Sequence, residues 1–453
     1  MERKRHKLLA GLILLDCNNF VNLRNGQLLR FLIHLPITKY QQARILLTLL
    51  SLRYILNIMN VSLGFSQLKD PILAANEAIG QATIGLRNVP ATLAFIFTSI
   101  EFAHPLVLRA ANNLLGEIPI LGCSSLGIMT NQGVFKHGFA ILLISLSQQT
   151  FFNVAAVKDI NKKTPLLSGK ELGDKLLFGF KNVPRSLSII LSDKLITEGT
   201  HLINGLQTSL GNSFPLIGAS ASDNFENHKT YQYLNKEMLA ESCSGILFGG
   251  KFNFGFGIKH GWKALGKMRC VTSSSGNVIK EIDGLAAVKL YEDYFFKNTL
   301  DLTKELRRIS IYYPLGIYLP GEKEYLLRNI ISIKDDGSLV TQGDIPQDSK
   351  IRLMISTEDS RLAATVAACE EAKRNIGTGK IKFLIVFDSA ARFSILGRQN
   401  DTELCVIKEV FGENTPLIGI YTNGEQAPLK SINYLGRTYF HNQSINILAI
   451  GEQ

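Results

Sequence analysis

The chain has 453 residues, of which 46% are hydrophobic and 19% charged, and its formal net charge at pH 7 is +11. This composition excludes a largely disordered chain, and the length allows two or three hydrophobic cores. Residues 1–58 contain nine Lys and Arg side chains and two acidic ones, a net charge of +7, which leaves +4 for the remaining 395 residues. A body so close to neutral excludes an extended nucleic-acid groove, and we expect no nucleic-acid partner.

The first 58 residues combine a basic start with two short apolar runs. Asp16 ends the first run and Arg53 interrupts the second, so neither has the ~18 uninterrupted apolar residues of a membrane span. A basic, apolar segment of this kind suits a helix on a membrane surface. The alternative is that residues 1–58 are a disordered extension or not part of the native protein, with translation starting at Met59. Contact with a membrane is expected only under the first interpretation.

One pattern recurs three times in the remaining chain: a glycine, two or three residues, a proline, two branched aliphatic residues and a second glycine. The copies lie in Gly116–Ser125, Gly211–Ser220 and Gly412–Thr422. An apolar run and a stretch of helical period precede each copy, and another apolar run follows it. Continuous apolar runs are typical of strands buried on both faces. The chain is therefore predicted to be an α/β protein with mixed β-sheets, built in two lobes from repeated β-α-β-β units.

The glycines and the proline of the repeat have expected conformational roles. The first glycine is expected to end the helix in a left-handed conformation, and the proline to begin the strand, because it has no N–H to donate. The second glycine, Gly122 or Gly218 in the first two copies, permits a sharp exit or a close approach of the backbone to a ligand. Ligands of α/β sheets bind at the carboxyl ends of strands, so we expect the three exits to face one cavity.

Between residues 250 and 345 the pattern changes to strands joined by glycine-rich turns, with a helix from Gly284 and a hairpin turn at the sequence DDGS. The polar, helical stretch Asp293–Glu305 is the predicted domain boundary. The predicted domains are residues 59–295 and 296–453, both of α/β type.

In order and spacing, these runs resemble the FIST domain family over both its N- and C-terminal halves, from about Leu68 to the C-terminus. They include IPILGCSSLG, PLIGASASDN, FDSAARFSILG and PLIGIYTNGEQAP, and the block Val271–Tyr291 and the HNQS near the C-terminus are among the most specific. The resemblance implies an intracellular sensory domain of signal transduction that binds small ligands such as amino acids. Its output, a kinase, cyclase or chemoreceptor, would lie on a separate chain. Ser389 and Ala391 depart from the family pattern, which typically has Cys and Gly there.

Cys123 has a catalytic and a structural interpretation. A nucleophilic thiol needs a nearby base to form the thiolate at neutral pH. Ala219 and Ile420 stand at the same place in the other two copies, so the turn does not depend on a thiol. Lining of a pocket is therefore favoured over catalysis for Cys123.

Arg392 and Glu425 are the candidate pair for an amino-acid ligand. The guanidinium can clamp a ligand carboxylate in bidentate geometry; the alternative is an ion pair with Asp388 or Glu403. Glu425 can accept a ligand ammonium group or cap a helix. Together the two side chains would complement a zwitterion.

Two further polar residues lie near the expected cavity. Asp223 follows the second copy of the repeat, where a turn or helix-capping role competes with ligand binding. Asn442, next to His441, precedes the last strand and is expected to orient the site. The predicted ligand-binding residues are Gly122, Cys123, Ser124, Gly218, Ser220, Asp223, Asp388, Arg392, Thr422, Glu425 and Asn442.

The predicted function is non-catalytic sensing of a small polar metabolite in the cytoplasm. The alternatives are an amidohydrolase-like enzyme that uses Cys123 and a protein-interaction adaptor. The six scattered cysteines include no C-x-x-C pair, and the eight histidines show no H-x-x-x-H spacing. The sequence therefore predicts no metal site and no other cofactor.

Overall fold

The computed structural model describes residues 58–87, 89–102, 105–194, 199–223, 229–397, 401–429 and 436–452. Within it, Ile58–Gln453 forms one compact unit. The interpretations of the N-terminal extension concern residues that lie, apart from Ile58, outside the described part of the chain.

Two stretches of about 90 residues follow one another with the same order of elements. The first unit consists of β1 (Asn60–Ser66), α1 (Pro71–Gly85), β2 (Leu93–Ser99), α2 (Pro105–Leu115), β3 (Ile120–Ser125), β4 (Ile128–Thr130), β5 (Gly133–Phe135) and β6 (Phe139–Ser145). The second unit consists of β7 (Thr150–Val157), α3 (Pro165–Leu176), β8 (Arg185–Ser192), α4 (Gly199–Leu210), β9 (Leu216–Ser220), β10 (Gln232–Leu234), β11 (Glu237–Leu239) and β12 (Cys243–Gly250).

A third unit of the same kind begins with β13 (Asn253–Lys259) and is interrupted by an insertion. The insertion consists of β14 (Lys263–Ser275), β15 (Val278–Ile282), β16 (Leu285–Ala286), α5 (Lys289–Phe295), α6 (Thr299–Tyr312), β17 (Leu315–Ile317), β18 (Leu326–Arg328), β19 (Ile330–Ile333), β20 (Leu339–Thr341) and β21 (Lys350–Ile355). The third unit then continues with α7 (Glu358–Ile376), β22 (Lys380–Ser389), α8 (Ala390–Leu396), α9 (Asp401–Phe411), β23 (Leu417–Thr422), β24 (Glu425–Pro428), β25 (Thr438–His441) and β26 (Ile445–Glu452).

The glycine expected after each helix of the repeat ends that helix. Gly116, Gly211 and Gly412 have φ angles of 66°, 106° and 92°, and their amides donate to the carbonyls of Asn112, Gln207 and Lys408, four residues earlier. A side chain with a Cβ is strained in this left-handed region, which explains the glycines. This part of the sequence prediction is confirmed.

Each unit builds a mixed sheet with the same strand order. The first, last, second and third strands of the unit lie side by side, as β1-β6-β2-β3, β7-β12-β8-β9 and β13-β26-β22-β23. The second and third strands of each unit are parallel, and the other pairs are antiparallel. The predicted mixed α/β class and the β-α-β-β repeat are confirmed; the sequence pattern did not reveal the strand and helix that begin each unit.

Each unit also contributes a hairpin to the sheet of another unit. Hairpin β4–β5 of the first unit pairs with β23 in the third, hairpin β10–β11 of the second pairs with β3 in the first, and hairpin β24–β25 of the third pairs with β9 in the second. The exchange is cyclic, and it covers the open edge that each third strand would otherwise expose. The three units therefore depend on one another for complete sheets.

The three sheets enclose one shared hydrophobic core, while helices cover their other faces. Side chains from all three parallel strand pairs, such as Phe95, Ile189 and Ile385, belong to this core. Helices α1 and α2, α3 and α4, and α7 and α9 form three separate cores on the outer faces. This layering explains why the parallel strands read as continuous apolar runs.

The insertion forms a fourth sheet with its own core. Its strand order is β18-β17-β21-β14-β15-β20-β19, and β16 pairs with β15. Residues of α5 and α6, among them Tyr291, Leu302 and Ile309, pack against it. The predicted division at residue 295 falls between α5 and α6 and stays a prediction. No helix in the described ranges is long and apolar enough to cross a membrane.

Candidate functional site

The carboxyl ends of the parallel strands from the three units meet in one place. Ser125 Oγ of the first unit lies 2.8 Å from the carbonyl oxygen of Tyr421 in the third and accepts a hydrogen bond from the Tyr421 amide at 3.1 Å. Ser222 of the second unit donates to the same carbonyl and accepts a hydrogen bond from the Leu126 amide at 2.9 Å. The exits therefore meet through direct hydrogen bonds, and Ser125, Ser222 and Tyr421 are buried. The common cavity that the exits were expected to face stays a prediction.

The second glycine of the repeat has a packing role in the first two units. A Cβ at Gly122 would lie 1.7 Å from the Ile96 carbonyl oxygen on the neighbouring strand, and one at Gly218 would lie 1.9 Å from the Ile190 carbonyl oxygen. Both glycines are inside their strands rather than at the exits. The close approach that these glycines permit is to a neighbouring strand, which accounts for them without a ligand.

Cys123 and Ser124 are enclosed in the first unit. The Cys123 side chain belongs to the shared core, and burial raises the pKa of its thiol, which keeps the thiol protonated at neutral pH. Ser124 Oγ accepts a hydrogen bond from the Tyr231 amide at 3.0 Å. A protonated thiol in an apolar environment gives no support to the nucleophile interpretation.

The second unit places Ser220 and Asp223 in a compact polar group. Ser220 Oγ lies 2.9 Å from Ser192 Oγ, at the ends of the two parallel strands. Asp223 forms an ion pair with Lys194, and both side chains are buried. The Ser220 amide donates to the Gly424 carbonyl at 2.8 Å, which places this group directly beside the third unit.

Arg392 lies at the centre of a buried charged group in the third unit. Its Nε lies 3.1 Å from Asp388 Oδ1, and its Nη2 is paired with Glu403. Arg392, Asp388 and Glu403 are all 0% exposed. The ion pair that was the alternative to a carboxylate clamp is present, and it involves both acidic residues.

The other donors of Arg392 bind three further parts of the fold. Nη1 donates to the His260 carbonyl at 2.6 Å, and Nη2 lies 3.0 Å from Thr365 Oγ1 and 3.3 Å from the Arg361 carbonyl oxygen. His260 directly follows β13, at the entrance to the insertion, while Thr365 and Arg361 lie on α7. Arg392 thus connects α8, α7, α9 and the junction with the inserted sheet.

Three carboxyl groups lie near Arg392, and its guanidinium contacts two of them, those of Asp388 and Glu403. Burial, and after it the negative charge of Glu403, raise the pKa of Asp388 well above its ordinary value although Arg392 opposes the shift. While Asp388 and Glu403 are both ionised, neither carboxylate oxygen of Asp388 has a hydrogen-bond partner among the described residues, nor do Glu403 Oε2 and the Tyr421 hydroxyl. A proton on Asp388 allows a hydrogen bond between the two carboxyls, which contributes to the raised pKa. Buried polar atoms usually have partners, so this cluster can accept and donate additional hydrogen bonds.

Glu425 belongs to the same region and does not cap a helix. Its Oε1 accepts a hydrogen bond from Thr422 Oγ1 at 2.6 Å, and its Oε2 accepts from the amide and the hydroxyl of Ser444 at 3.1 and 2.7 Å. Burial raises the pKa of Glu425 to about 7, although these hydrogen bonds and Arg392 act in the opposite direction. The carboxyl therefore titrates near neutral pH.

Asn442 and His441 lie at the border with the inserted sheet. Asn442 Oδ1 accepts a hydrogen bond from the Asn329 amide at 3.1 Å, and its Nδ2 donates to the His441 carbonyl at 3.0 Å. Burial lowers the pKa of His441 to about 3, so the ring is neutral, and its Nε2 lies 2.9 Å from the Ala427 carbonyl oxygen. Asn442 joins the third unit to the insertion.

The structure brings together one part of the predicted site. Asp388, Arg392, Thr422 and Glu425 are neighbours, and Ser220 is linked to them through β9 and β24. Residues of the cluster that sequence reasoning did not select as ligand-binding are Glu403, Thr365, Arg361, His260, Tyr421 and Ser444. These residues lie up to about 130 positions from Arg392 along the chain. The one signal in the sequence was Glu403 itself, an acidic residue in the first turn of a helix.

The cluster also lacks the geometry of a metal centre. In the described part of the chain, no group of three or more His, Cys, Asp or Glu side chains is placed to hold a metal ion.

Comparisons with known proteins give two domain matches. The FIST N domain matches residues 92–285, and the FIST C domain matches residues 287–428. An uncharacterized protein of Methanocaldococcus jannaschii is 22% identical over 327 residues, which cover 68% of this chain and 62% of that protein. The chain thus spans less than two thirds of the length of this relative.

One solved structure also aligns, at low similarity. It is described as "Cyanuric acid hydrolase: evolutionary innovation by structural concatenation", and the alignment covers 87% of this chain and 100% of that one, with a TM-score of 0.33 and 7% identity. A likeness at this level carries no conclusion about fold or activity.

Proposed function

Because the chain belongs to the FIST family, whose domains are sensory domains of signal transduction, we propose that it is a non-catalytic cytoplasmic sensor of a small polar ligand. An amino acid is the ligand class that we propose. The output module is a kinase, cyclase or chemoreceptor on a separate chain. The proposed site is the buried cluster around Arg392, Asp388, Glu403 and Glu425.

One observation carries this proposal: the cluster contains three buried carboxyl groups and two guanidinium groups, those of Arg392 and of Arg361, which interacts with Glu403. Three carboxyl groups lie around Arg392, and oxygens of Asp388 and Glu403 lack hydrogen-bond partners among the described residues. A ligand ammonium group supplies a positive charge and three N–H donors. Because burial raises the pKa of Asp388 and of Glu425, the ammonium group would favour the ionised forms of these carboxyls and take the place of the protons that they otherwise hold.

Recognition of a ligand carboxylate requires a change of partners at Arg392. All the contacts of its guanidinium are internal, so a ligand carboxylate must displace Glu403 or Asp388. Displacement of Glu403 would remove the ion pair between α9 and α8, while the apolar contacts of α9 with α7 remain. A ligand that binds the arrangement without this ion pair more tightly shifts the population toward it. In this way the cluster would couple ligand binding to the position of helices and of the inserted sheet.

The proposal is tested by thermal unfolding in the presence of single amino acids. A ligand that binds the folded state raises the melting temperature by mass action. Ethylammonium and acetate, which carry only one end of the zwitterion, should each give a smaller shift than the amino acid that binds. We expect Glu425→Gln to reduce the shift by at least half, since an amide attracts an ammonium group less strongly than a carboxylate.

A matched control distinguishes this site from a general charge effect. Glu409 is an exposed residue on α9, the helix that contains Glu403, and Glu409→Gln should leave the ligand-induced shift unchanged. If no amino acid shifts the melting temperature, or if both variants change the shift equally, the proposed site is wrong.

A further inference from the structure

The second unit differs from the other two in how its first helix lies on its first strand. The strand pairing shows which residues are equivalent in the three sheets. From the second glycine of each repeat, three steps across the paired strands lead to Gly64 of β1, Ala155 of β7 and Gly257 of β13. The residue is therefore glycine in two units and alanine in the second.

The two glycines allow a helix to contact the strand directly. A Cβ at Gly64 would lie 1.8 Å from the Ala78 carbonyl oxygen of α1, and one at Gly257 would lie 2.1 Å from the Ala368 carbonyl oxygen of α7. Ala155 already has a Cβ, so α3 cannot approach β7 as closely. In the first and third units the helix backbone lies directly against the edge strand; in the second, α3 packs on β7 through side chains, with Ala155 in the same core as Leu172 and Leu176.

Helix α3 instead makes its closest contacts with α4. A Cβ at Gly169 would lie 2.1 Å from the Leu202 carbonyl oxygen, and one at Gly205 would lie 2.0 Å from the Leu166 carbonyl oxygen. Backbone contact of this kind fixes the distance between the two helices. With α3 held by α4, a groove of about 970 Å³ remains between α3 and residues 153–156 of β7.

The groove runs along an edge strand with outward-facing main-chain groups. β7 is the last strand of its sheet, and the Lys251 amide donates to the Gln149 carbonyl at 2.9 Å. Because hydrogen bonding alternates along an antiparallel pair, Phe152, Val154 and Ala156 direct their N–H and C=O groups away from β12. Lys175 Nζ donates to the Ala156 carbonyl at 3.1 Å, as this alternation requires.

Side chains around the groove combine apolar surface with positive charge. Leu167 is 56% exposed, Phe151 is 50% exposed and Phe178 is 83% exposed. Three lysines and two acidic residues line the groove, and two of the lysines are paired with Glu171. The third, Lys170, has no acidic partner in the described part of the chain. Exposed apolar side chains grouped in this way mark interaction sites.

We propose that β7 and α3 bind an extended segment of a partner protein, which adds a strand to β7 at Val154 and places an acidic side chain at Lys170. Main-chain hydrogen bonds to an edge strand supply affinity, and alternate side chains supply specificity. The open edge selects an extended segment, and the unpaired lysine selects a negative charge. This inference goes beyond the proposed sensing of a ligand, because it assigns a surface for a protein partner that does not involve the Arg392 cluster.

The experiment measures fluorescence anisotropy of two labelled heptapeptides on the full chain. One peptide alternates valine with glutamate and the other alternates valine with lysine, so that only the charge differs. We expect the glutamate peptide to bind at least tenfold more tightly. Methylation of the backbone amides on one edge of that peptide should weaken its binding at least tenfold, since strand pairing needs those N–H groups.

Two variants of the chain locate the binding. Val154→Pro removes an outward N–H, a change that an edge strand tolerates. It should weaken binding of the glutamate peptide at least tenfold. The control, Val154→Ala, keeps the N–H and should retain binding. Lys170→Glu, at an exposed position on α3, should reverse the preference between the two peptides even if the proline variant fails to fold. Equal binding of both peptides, no binding of either, or unchanged binding to Lys170→Glu would overturn the proposal. Sedimentation that shows a dimer lost in Val154→Pro would assign the edge to a second copy of the chain instead.

Discussion

The second and third units place charged groups at the same edge of equivalent sheets but in different proportions. In the second unit, Lys194 forms an ion pair with Asp223, and the buried Asp193 accepts a hydrogen bond from the Glu241 amide at 3.0 Å. In the third, Arg392 faces Asp388 and Glu403, and Glu425 lies nearby. Both groups are buried, and both follow a parallel strand pair built from the same repeat.

The difference indicates which of the two edges can respond to a ligand. A balanced buried pair gains nothing from an added charge, and its loss mainly costs stability. A cluster with surplus acidic groups responds to protons and to cations, because either one relieves the repulsion. The shared fold therefore carries one edge that fixes the structure and one that we propose to be the sensing site.

The largest effect is expected from removal of each buried cation. We expect Arg392→Met to lower the free energy of unfolding by roughly 3–5 kcal/mol, because it leaves two carboxyl groups without their cation. Lys194→Met leaves Asp223 without its ion-pair partner and should cost about 3 kcal/mol. Urea unfolding followed by circular dichroism measures both. A triple variant with Arg392→Met, Asp388→Asn and Glu403→Gln should recover part of the loss, and a smaller loss for Arg392→Met than for Lys194→Met would contradict the comparison.

The pH dependence of stability gives the second test. Burial raises the pKa of Glu425 from its ordinary 4.5 to about 7, so the folded protein holds a proton that the unfolded chain releases between these values. The contribution of Glu425 to the free energy of unfolding therefore falls as pH rises from 4.5 to 7. Glu425→Gln cannot ionise. Its free energy of unfolding, measured relative to the parent, should therefore rise by roughly 2–3 kcal/mol between pH 4 and pH 8. Urea unfolding across this pH range measures the difference, with Glu409→Gln as the exposed control; parallel curves for the parent and Glu425→Gln would show that Glu425 titrates normally.

Replacement of the second glycine of the repeat should have a smaller effect on stability, and the effect should differ among the three units. Gly122→Ala and Gly218→Ala place a Cβ against a main-chain carbonyl and should each lower the free energy of unfolding by roughly 1–3 kcal/mol. Gly419→Ala meets the Val386 Cβ at 2.9 Å and its carbonyl at 3.1 Å, a milder overlap, and should cost less. Thermal unfolding of the three variants checks the order, and an equal loss at Gly419 would show that the units are packed alike.

Much of the fold could be predicted because its signals are local. The three glycines that end helices, the prolines that begin strands and the apolar runs each follow from a few neighbouring residues. The first strand and helix of each unit were missed because their apolar side chains are small or interrupted, as in β1, where Gly64 takes the place of a larger residue. The exchange of hairpins was missed because short segments such as β4 and β24 pair with strands about 200 or more residues away.

The candidate site was predictable only in part, for the same reason. Asp388, Arg392, Thr422 and Glu425 lie within 38 residues of one another, so the repeat placed them at one edge. The partners that occupy the Arg392 guanidinium come from His260, from α7 and from α9. No spacing in the sequence relates these positions, since they are brought together by an insertion and by helix packing.

By itself, the sequence determined the mixed α/β class, the triplicated unit and the family, because periodicity and turn residues act over short distances. The tertiary structure decided that Gly122 and Gly218 serve strand packing, that Cys123 is a core thiol and that Arg392 is held by two acidic residues. It also decided that β7 is the last strand of its sheet and that a groove lies between it and α3, since strand order and helix position are set only when the elements pack together.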